Sequence, residues 1–456
     1  MKSLFIFRRD FRLIDNTGLI ECYKNSNVVL PIFIFTPSQI ENNEYFSNNS
    51  FQFLIESLNE LNDEFKKNYN SQIIFHYGEN IDVIKKIYKE CDFDSIYFNM
   101  DYTPYAINRD NSIKDFCLEN KIQCIMCQDY LLMPIGTFLK ENKEVYQKYT
   151  PFKNKANTFT IPKPNNFKFT NNKFDKIKSV FELKNLEKYY KKNEHIAMKG
   201  GRENGLKILK NMDQFINYGD ERNNLNQRTT MMSAYIKYGC ISIREVYECI
   251  FKLFGKNHPL ISQLLWREFY YYLVYYIPKV LEQKSLKEKY DKIKWGNNPK
   301  HFEAWKNGVT GFPGVDAGMR EMNLTGFMHN RARLITSGIL IKILNCDWRL
   351  GEKYFATQLV DYDPSVNNGN WQWSSGSGAD SQPYFRILSP WKQIQDNDPN
   401  CEYIKKWIPE LKDVPNKDII NWGKSYDKYK VKYPKPIVNY DEMRKEIVEI
   451  YKKGLY

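Results

Sequence analysis

The strongest constraint on the fold is an alternation confined to the first third of the chain. Five short apolar runs, SLFIFR, VVLPIFIF, QIIFHYG, SIYFNM and IQCIMC, are separated by stretches whose apolar residues recur at helical spacing, such as FQFLIESLNELNDEFKK and IDVIKKIYKE. Most of the runs are nearly continuous in Ile, Val, Phe and Tyr, the pattern of strands covered on both faces. Strands alternating with helices predict a parallel, doubly wound α/β sheet of about 130 residues. The opening MKSLFIFRRDF has too short an apolar core and too many following charges for a secretory signal, and is expected to be the first strand.

The remainder follows a different rule. From Thr150 to about Lys192 the composition turns to Asn, Lys, Pro and Phe, as in PFKNKANTFTIPKPNNFKFTNN, which predicts a polar connector draped over the surface. From about Gly200 onward the pattern is helical almost throughout, as in SIREVYECIFKLFG, PLISQLLWREFYYYLVYYIPKV and NRARLITSGILIKIL. The expected organisation is an α/β domain over 1–135, an extended linker over 136–198 and an all-α domain over 199–456. No G-x-G-x-x-G follows the first strand and no P-loop occurs, so a nucleotide cofactor would be held by other devices. No apolar run is long enough to span a bilayer, and no membrane partner is expected.

Composition matters through charge. Lys and Arg total 67 against 54 Asp and Glu, a net charge of +13. That excess suits a polyanionic partner, because cations at phosphates release condensed counterions. It suits a solvated, Lys-rich surface equally well. Nine cysteines without regular spacing point to an intracellular, reducing compartment. Cys124 and Cys127 form a C-x-x-C, but no second pair stands at zinc-site spacing. They are expected to be buried strand thiols, and no metal is expected.

The helical half concentrates the chemistry. In PLISQLLWREFYYYLVYY, residues Gln263, Trp266, Arg267 and Tyr270 fall at i, i+3, i+4 and i+7, on one helix face. Such a face can hydrogen-bond and stack a flipped base; it can also be an aromatic core stripe with Arg267 paired to Glu268. In FMHNRARLITSGIL, Asn330, Arg333 and Leu334 share one turn, with Arg331 on another side. A buried Arg333 needs an anion, and Asp361 in DYDPSVNNGNW is the natural candidate. That pair is either structural or set against a conjugated cofactor whose electronics it tunes. In RTTMMSAYIKYG, Thr229, Thr230 and Ser233 begin a helix, as N-caps or as phosphate ligands. In NNGNWQW, Trp371 and Trp373 lie two residues apart, so on a helix they point to nearly opposite sides.

Over essentially its whole length the sequence resembles the DNA photolyase/cryptochrome family. The resemblance rests on FRRDFRLIDNTGL, WREFYYYL, TGFPGVDAGMREMNLTGFMHNRARL, DWRLGEKYF and NNGNWQW followed by GADSQPYFRI, in that order. It implies an N-terminal α/β domain and a C-terminal helical domain that holds FAD. Tyr218, Thr229, Thr230, Met231, Met232 and Ser233 match positions that hold the phosphates and ribityl chain. Arg333, Asp361, Asp363 and Asn367 match those around the isoalloxazine, and Tyr362 stands among them. Asn367 occupies the position facing flavin N5, where photolyases carry Asn, plant cryptochromes Asp and animal cryptochromes Cys. Trp371, Trp348 and Trp295 match an electron-transfer chain leading outward.

The resemblance further implies light-driven splitting of pyrimidine dimers in DNA by electron transfer from excited FADH⁻. Trp266 and Trp373 match indoles facing each other across a lesion pocket, with Gln263, Arg267, Tyr270, Asn330 and Leu334 around it. Arg222, Arg331 and Gln393 match positions near DNA. The histidine pair of (6-4) photolyases would fall at Asn330 and Leu334, and neither is His, which favours the cyclobutane dimer. Two departures accompany this: Gln263 stands where cyclobutane-dimer enzymes commonly have Glu, and Leu334 where they have Met. A cryptochrome photoreceptor is the rival, disfavoured because the chain ends soon after the helical half. A folate or deazaflavin antenna is implied without a residue pattern that chooses between them. A monomer is expected.

Overall fold

The computed structural model describes residues 1–456 except 171, 176–178 and 180. Five strands, β1 (Lys2–Phe7), β2 (Val28–Phe35), β3 (Ile74–Tyr77), β4 (Ser95–Asn99) and β5 (Gln123–Cys127), form one parallel sheet in the order β3-β2-β1-β4-β5. β1 is central, with Phe5 opposite Pro31 on one side and Tyr97 on the other. Its residues from Ser3 to Phe7 are all buried, which explains the unbroken apolar run. β5 is an edge strand paired only with β4, so Cys124 and Cys127 are half-buried rather than buried as expected. The intervening helices start on side-chain caps: Asn16 accepts from the Leu19 amide, Ser47 from Ser50 and Thr103 from Ala106.

The strand order reverses at β1, so the carboxyl ends of β1 and β4 flank the crevice where such sheets take ligands. In this chain the crevice meets the helical half. Arg9, just after β1, donates to Asp101 after β4 at 2.7 Å and to Asp363 at 3.1 Å. Deeper in the seam, Asp129 binds Arg12 at 2.6 Å and Arg244 at 2.8 Å, while Asp15 also accepts from Arg244 at 2.8 Å. Burial raises the cost of each charge, and the neighbouring guanidinium groups hold the Asp129 carboxyl well below the usual carboxylate range.

The connector differs from expectation. Tyr149–Ala156 is a helix, and its Phe152 is fully buried against Phe138, Phe269 and Tyr272. Phe167, Phe169 and Phe174 then pack around Tyr23, and Phe174 forms a bridge to Val29 of β2. The polar composition concealed aromatic residues that the fold buries, as Phe152 and Phe174, or half-buries, as Phe167 and Phe169. Beyond it, helices run from Arg202 to Leu455.

Candidate functional site

The Pro364–Ser375 helix lies at the centre of the helical half and packs on three others: Pro259–Tyr276, Asn330–Lys342 and Trp348–Gln358. Asp363 starts it, accepting from the Ser365 and Val366 amides, and Pro364 supplies the preset first turn. Two glycines permit the close crossings. A Cβ on Gly369 would overlap the Tyr270 ring, and one on Gly351 would overlap Leu340 and the Trp371 ring. Gly351→Ala is expected to cost about 1–3 kcal/mol through overpacking, read as a lowered denaturation midpoint.

Arg333 and Asp361 form the expected pair, with the guanidinium Nη2 donating to both carboxylate oxygens at 3.0 and 3.1 Å. Arg333 Nε donates to the Met328 carbonyl at 2.9 Å, and Ser233 Oγ donates to Asp361 at 2.7 Å. Ser233 is nonetheless exposed, so the pair borders open space. Asn367 is fixed by a partner that its own motif does not reveal. Its Nδ2 donates to Glu352 Oε1 at 2.9 Å and to the Glu352 carbonyl at 3.1 Å, which leaves Oδ1 as its free function, an acceptor.

Burial pushes the Glu352 carboxyl up to about 7, against hydrogen bonds from Asn367 and Tyr45. The folded state therefore keeps this proton to higher pH than the unfolded chain. The resulting stability is complete below about pH 4.5 and is lost as pH rises through about 7. Glu352→Gln is expected to gain about 2–3 kcal/mol relative to the parent between pH 4.5 and 8, measured by paired urea titrations.

The phosphate candidates Thr229 and Met231 line a cavity of about 300 Å³, together with Arg228, Phe327, His329, Lys406 and Trp407. Met231 adopts a left-handed backbone conformation, φ +53°, where the chain turns into the Ser233–Lys237 helix. His329 Nδ1 accepts from the Arg331 amide at 3.1 Å, so the neutral ring carries its hydrogen on Nε2. Burial and the two nearby arginines lower the His329 pKa to about 4, which keeps the ring neutral. His329 Nε2 and Trp407 Nε1 are both buried without a partner. Two unpaired N–H donors between Arg228 and Lys406 fit the acceptor oxygens of a dinucleotide.

Four expected residues sit differently. The Asp363 carboxylate is engaged by its cap, by Arg9 and by the Tyr271 hydroxyl, so its side chain fastens the two halves. Arg267 donates to the Tyr130 carbonyl at 2.7 Å and to Tyr271 at 3.2 Å, drawn from the aromatic face into the same seam. Its separation from Glu268 is 3.9 Å, and Glu268 instead accepts from the Leu132 amide. Tyr270 is buried under Gly369 and reaches Asn370 only at 3.4 Å. The Met232 side chain points into the core.

Other candidates do gather. Arg331 donates to Asn223 at 2.6 Å and to Gln393 at 3.4 Å, and burial together with the nearby Arg222 charge lowers its pKa. Arg222 and Asn330 are exposed; Gln263, Trp266, Leu334 and Trp373 are half-buried. Trp266 is stacked on Tyr149, and among the described residues its ring does not touch Trp373. Tyr218 is half-buried beside the start of the Pro259–Tyr276 helix. Tyr362 stacks on Tyr45, 6.2 Å between centroids.

Trp371 and Trp348 are each 2% exposed and belong to one core, with Trp295 half-buried at its edge against Tyr451. Trp305, equally buried, meets Trp371 edge to face at 6.1 Å. Neither it nor Glu352 was signalled by local sequence.

Two family models match the chain, "DNA photolyase" over residues 3–167 and "FAD binding domain of DNA photolyase" over residues 260–453. Among named relatives, a deoxyribodipyrimidine photo-lyase of Buchnera aphidicola is 35% identical over 99% of this chain and 97% of its own. The Escherichia coli enzyme of the same name is 30% identical over 98% and 97%. The crystal structure of an archaeal photolyase from Sulfolobus tokodaii, which holds two FAD molecules, superposes with a TM-score of 0.90 at 39% identity, covering 99% of this chain and 100% of that one. With its fold, its paired Arg333 and Asp361, a family model on each half and a relative 35% identical over 99% of its length, the chain belongs to the DNA photolyase family.

Proposed function

We propose that the protein is a deoxyribodipyrimidine photo-lyase that uses FAD and light to split cyclobutane pyrimidine dimers in DNA. The observation that carries the reading is the locked Asn367 amide: with Nδ2 held by Glu352, the side chain offers a neutral acceptor rather than a charge. A neutral acceptor there favours a reduced cofactor without adding a second anion beside it. When bound and reduced, FAD supplies an excited-state electron donor whose electron returns at the end of the cycle, so no net oxidant is consumed.

The chain's own residues do the rest. Thr229, Thr230 and Ser233, with the backbone of the 229–233 turn, hold the diphosphate and ribityl chain, and His329 and Trp407 donate into the cavity that Thr229 lines. Arg333 and Asp361 orient the ring system without net charge. Trp266 and Trp373 stack the flipped pyrimidines, and Gln263 donates to a base carbonyl. Arg222 and Arg331 take backbone phosphates, which positions the strand without reading sequence. Asn330 and Leu334 provide no imidazole, so the proton transfer a (6-4) lesion needs has no carrier at either position. All nine cysteines are free, which suits a reducing compartment; no described helix is long and apolar enough to cross a membrane. The two FAD molecules of the Sulfolobus photolyase add FAD to folate and deazaflavin as candidate antennas.

The test is repair of separate cyclobutane and (6-4) oligonucleotides by flavin-loaded protein, in blue light and in the dark. Restoration of the cyclobutane substrate only when illuminated is expected. Failure to restore either substrate under light would sink the reading, and restoration of the (6-4) substrate alone would overturn the lesion assignment.

A further inference from the structure

Tyr149 and Trp266 form the shortest ring contact among the described residues, with centroids 3.7 Å apart and planes within 7°. Aromatic pairs left to themselves prefer offset or edge-to-face arrangements with centroids about 4.5–7 Å apart, because two facing quadrupoles repel. Something must therefore hold this pair face to face. The Tyr149 hydroxyl donates to the Ser262 carbonyl at 2.8 Å, and the Ser262 hydroxyl lies 2.5 Å from the phenol oxygen. Ser262 and Trp266 are i and i+4 on the Pro259–Tyr276 helix, so one tyrosine grips two successive turns of the same face. Tyr149 is itself pinned: it opens the Tyr149–Ala156 helix, whose Phe152 is fully buried against that same helix.

The consequence concerns the other side of the indole. Phe269 meets Trp266 at its edge and Tyr270 lies tilted at 5.7 Å, so Tyr149 is the only described ring stacked flat on it. Trp266 remains half-exposed. One face is backed by a rigid aromatic plane and its plane is fixed before any ligand arrives.

The geometry points to Tyr149 as a positioning residue for the substrate: it sets the plane of Trp266 on which an extruded pyrimidine dimer stacks, without touching the dimer itself. This rests on the reading of Trp266 as a substrate-stacking residue. A prealigned indole gives up little rotamer freedom when the base arrives, which is where the gain in affinity arises. The effect is confined to damaged DNA, because the backbone contacts of Arg222 and Arg331 are made without Trp266.

Flavin-loaded Tyr149→Leu, Tyr149→Met and Tyr149→Phe would be compared with the parent and with Trp266→Leu. The measurements are binding to an oligonucleotide with one cyclobutane thymine dimer, binding to the undamaged oligonucleotide, and repair rate at saturating dimer. Tyr149→Leu and Tyr149→Met are expected to weaken dimer binding about tenfold, as loss of most of one base stack would. Undamaged binding and saturated repair should stay at parental values, and Tyr149→Phe, which keeps the plane, should remain within about threefold of the parent. Near-ultraviolet circular dichroism should lose the stacked-pair signal in the Leu and Met variants, which verifies that the contact was removed in folded protein. Parental dimer affinity in either folded variant, while Trp266→Leu binds poorly, would overturn the role of Tyr149. Parental dimer affinity in Trp266→Leu would instead overturn the substrate reading beneath it.

Discussion

Trp371→Phe is expected to slow light-driven reduction of the bound flavin by at least an order of magnitude while leaving dimer repair by dark-reduced protein near the parental rate. Trp371 stands one helical turn after Asn367, so the two share a face of the Pro364–Ser375 helix. Its ring is 2% exposed and wedged edge-on against Phe355 at 4.9 Å, over Gly351. Trp348 is buried in the same core and Trp295 is half-buried at its margin, so burial falls along the series towards solvent. Phe fills most of the same space but lacks the readily oxidised indole, so the substitution tests the proposed electron path through Trp371 while leaving the substrate mouth its shape. The measurement is absorbance of oxidised flavin under blue light with an external reductant, beside repair by protein reduced chemically in the dark. Equal loss of both activities would place Trp371 in the binding machinery instead.

The largest effect on stability should come from Asp129→Ala. This carboxylate is fully buried and accepts four hydrogen bonds: the Thr17 amide at 3.1 Å, the Thr17 hydroxyl at 2.8 Å, Arg244 at 2.8 Å and Arg12 at 2.6 Å. Removing it takes the shared partner from two buried guanidinium groups, leaving Asp15 to balance Arg244, and Asp15 with the more distant Glu245 to balance Arg12. Breaking a buried pair by deleting one partner costs about 3–5 kcal/mol, a large share of a total stability of about 5–15 kcal/mol. The urea midpoint should fall accordingly. The sign with pH follows from the depressed Asp129 pKa: its contribution is present above the ordinary carboxylate range and is lost as acid protonates it, so the parent should lose its advantage over the variant on strong acidification. Asp129→Asn, which keeps the shape and loses the charge, should fall between the two.

How much of this was legible depended on whether the signal was local. The five strands were readable because a strand covered on both faces must be apolar at every position, and their order along the chain already implied parallel pairing. The Arg333–Asp361 pair was readable because a cation among Ile and Leu requires an anion. Arg267 was misplaced because helical spacing fixes the direction of Cβ and not the end of a long side chain. Its guanidinium follows the acceptors, Tyr130 O and the Tyr271 hydroxyl one turn on, into the seam. The engagement of Asp363 by Arg9 was not legible either, since that partner lies more than 350 residues earlier in the chain. Glu352 could not be read at all: it reaches Asn367 from a separate helix, and nothing in WRLGEKYF marks one glutamate as buried. The Tyr149–Ala156 helix was hidden by its lysines, because only Tyr149, Phe152 and Ala156 are buried there.

The Arg9 bridge has a consequence for how such a protein can be divided. One guanidinium joins the reversal point of the sheet to the aspartate that starts the helix bearing Asn367 and Trp371. Severing the first third of the gene would therefore remove the guanidinium paired directly with Asp363 and leave that anion to Arg267, the Tyr271 hydroxyl and the amides of its own helix. Recombination that swaps the leading segment would have to import a matching cation or lose the tie between the sheet and the start of the Pro364–Ser375 helix.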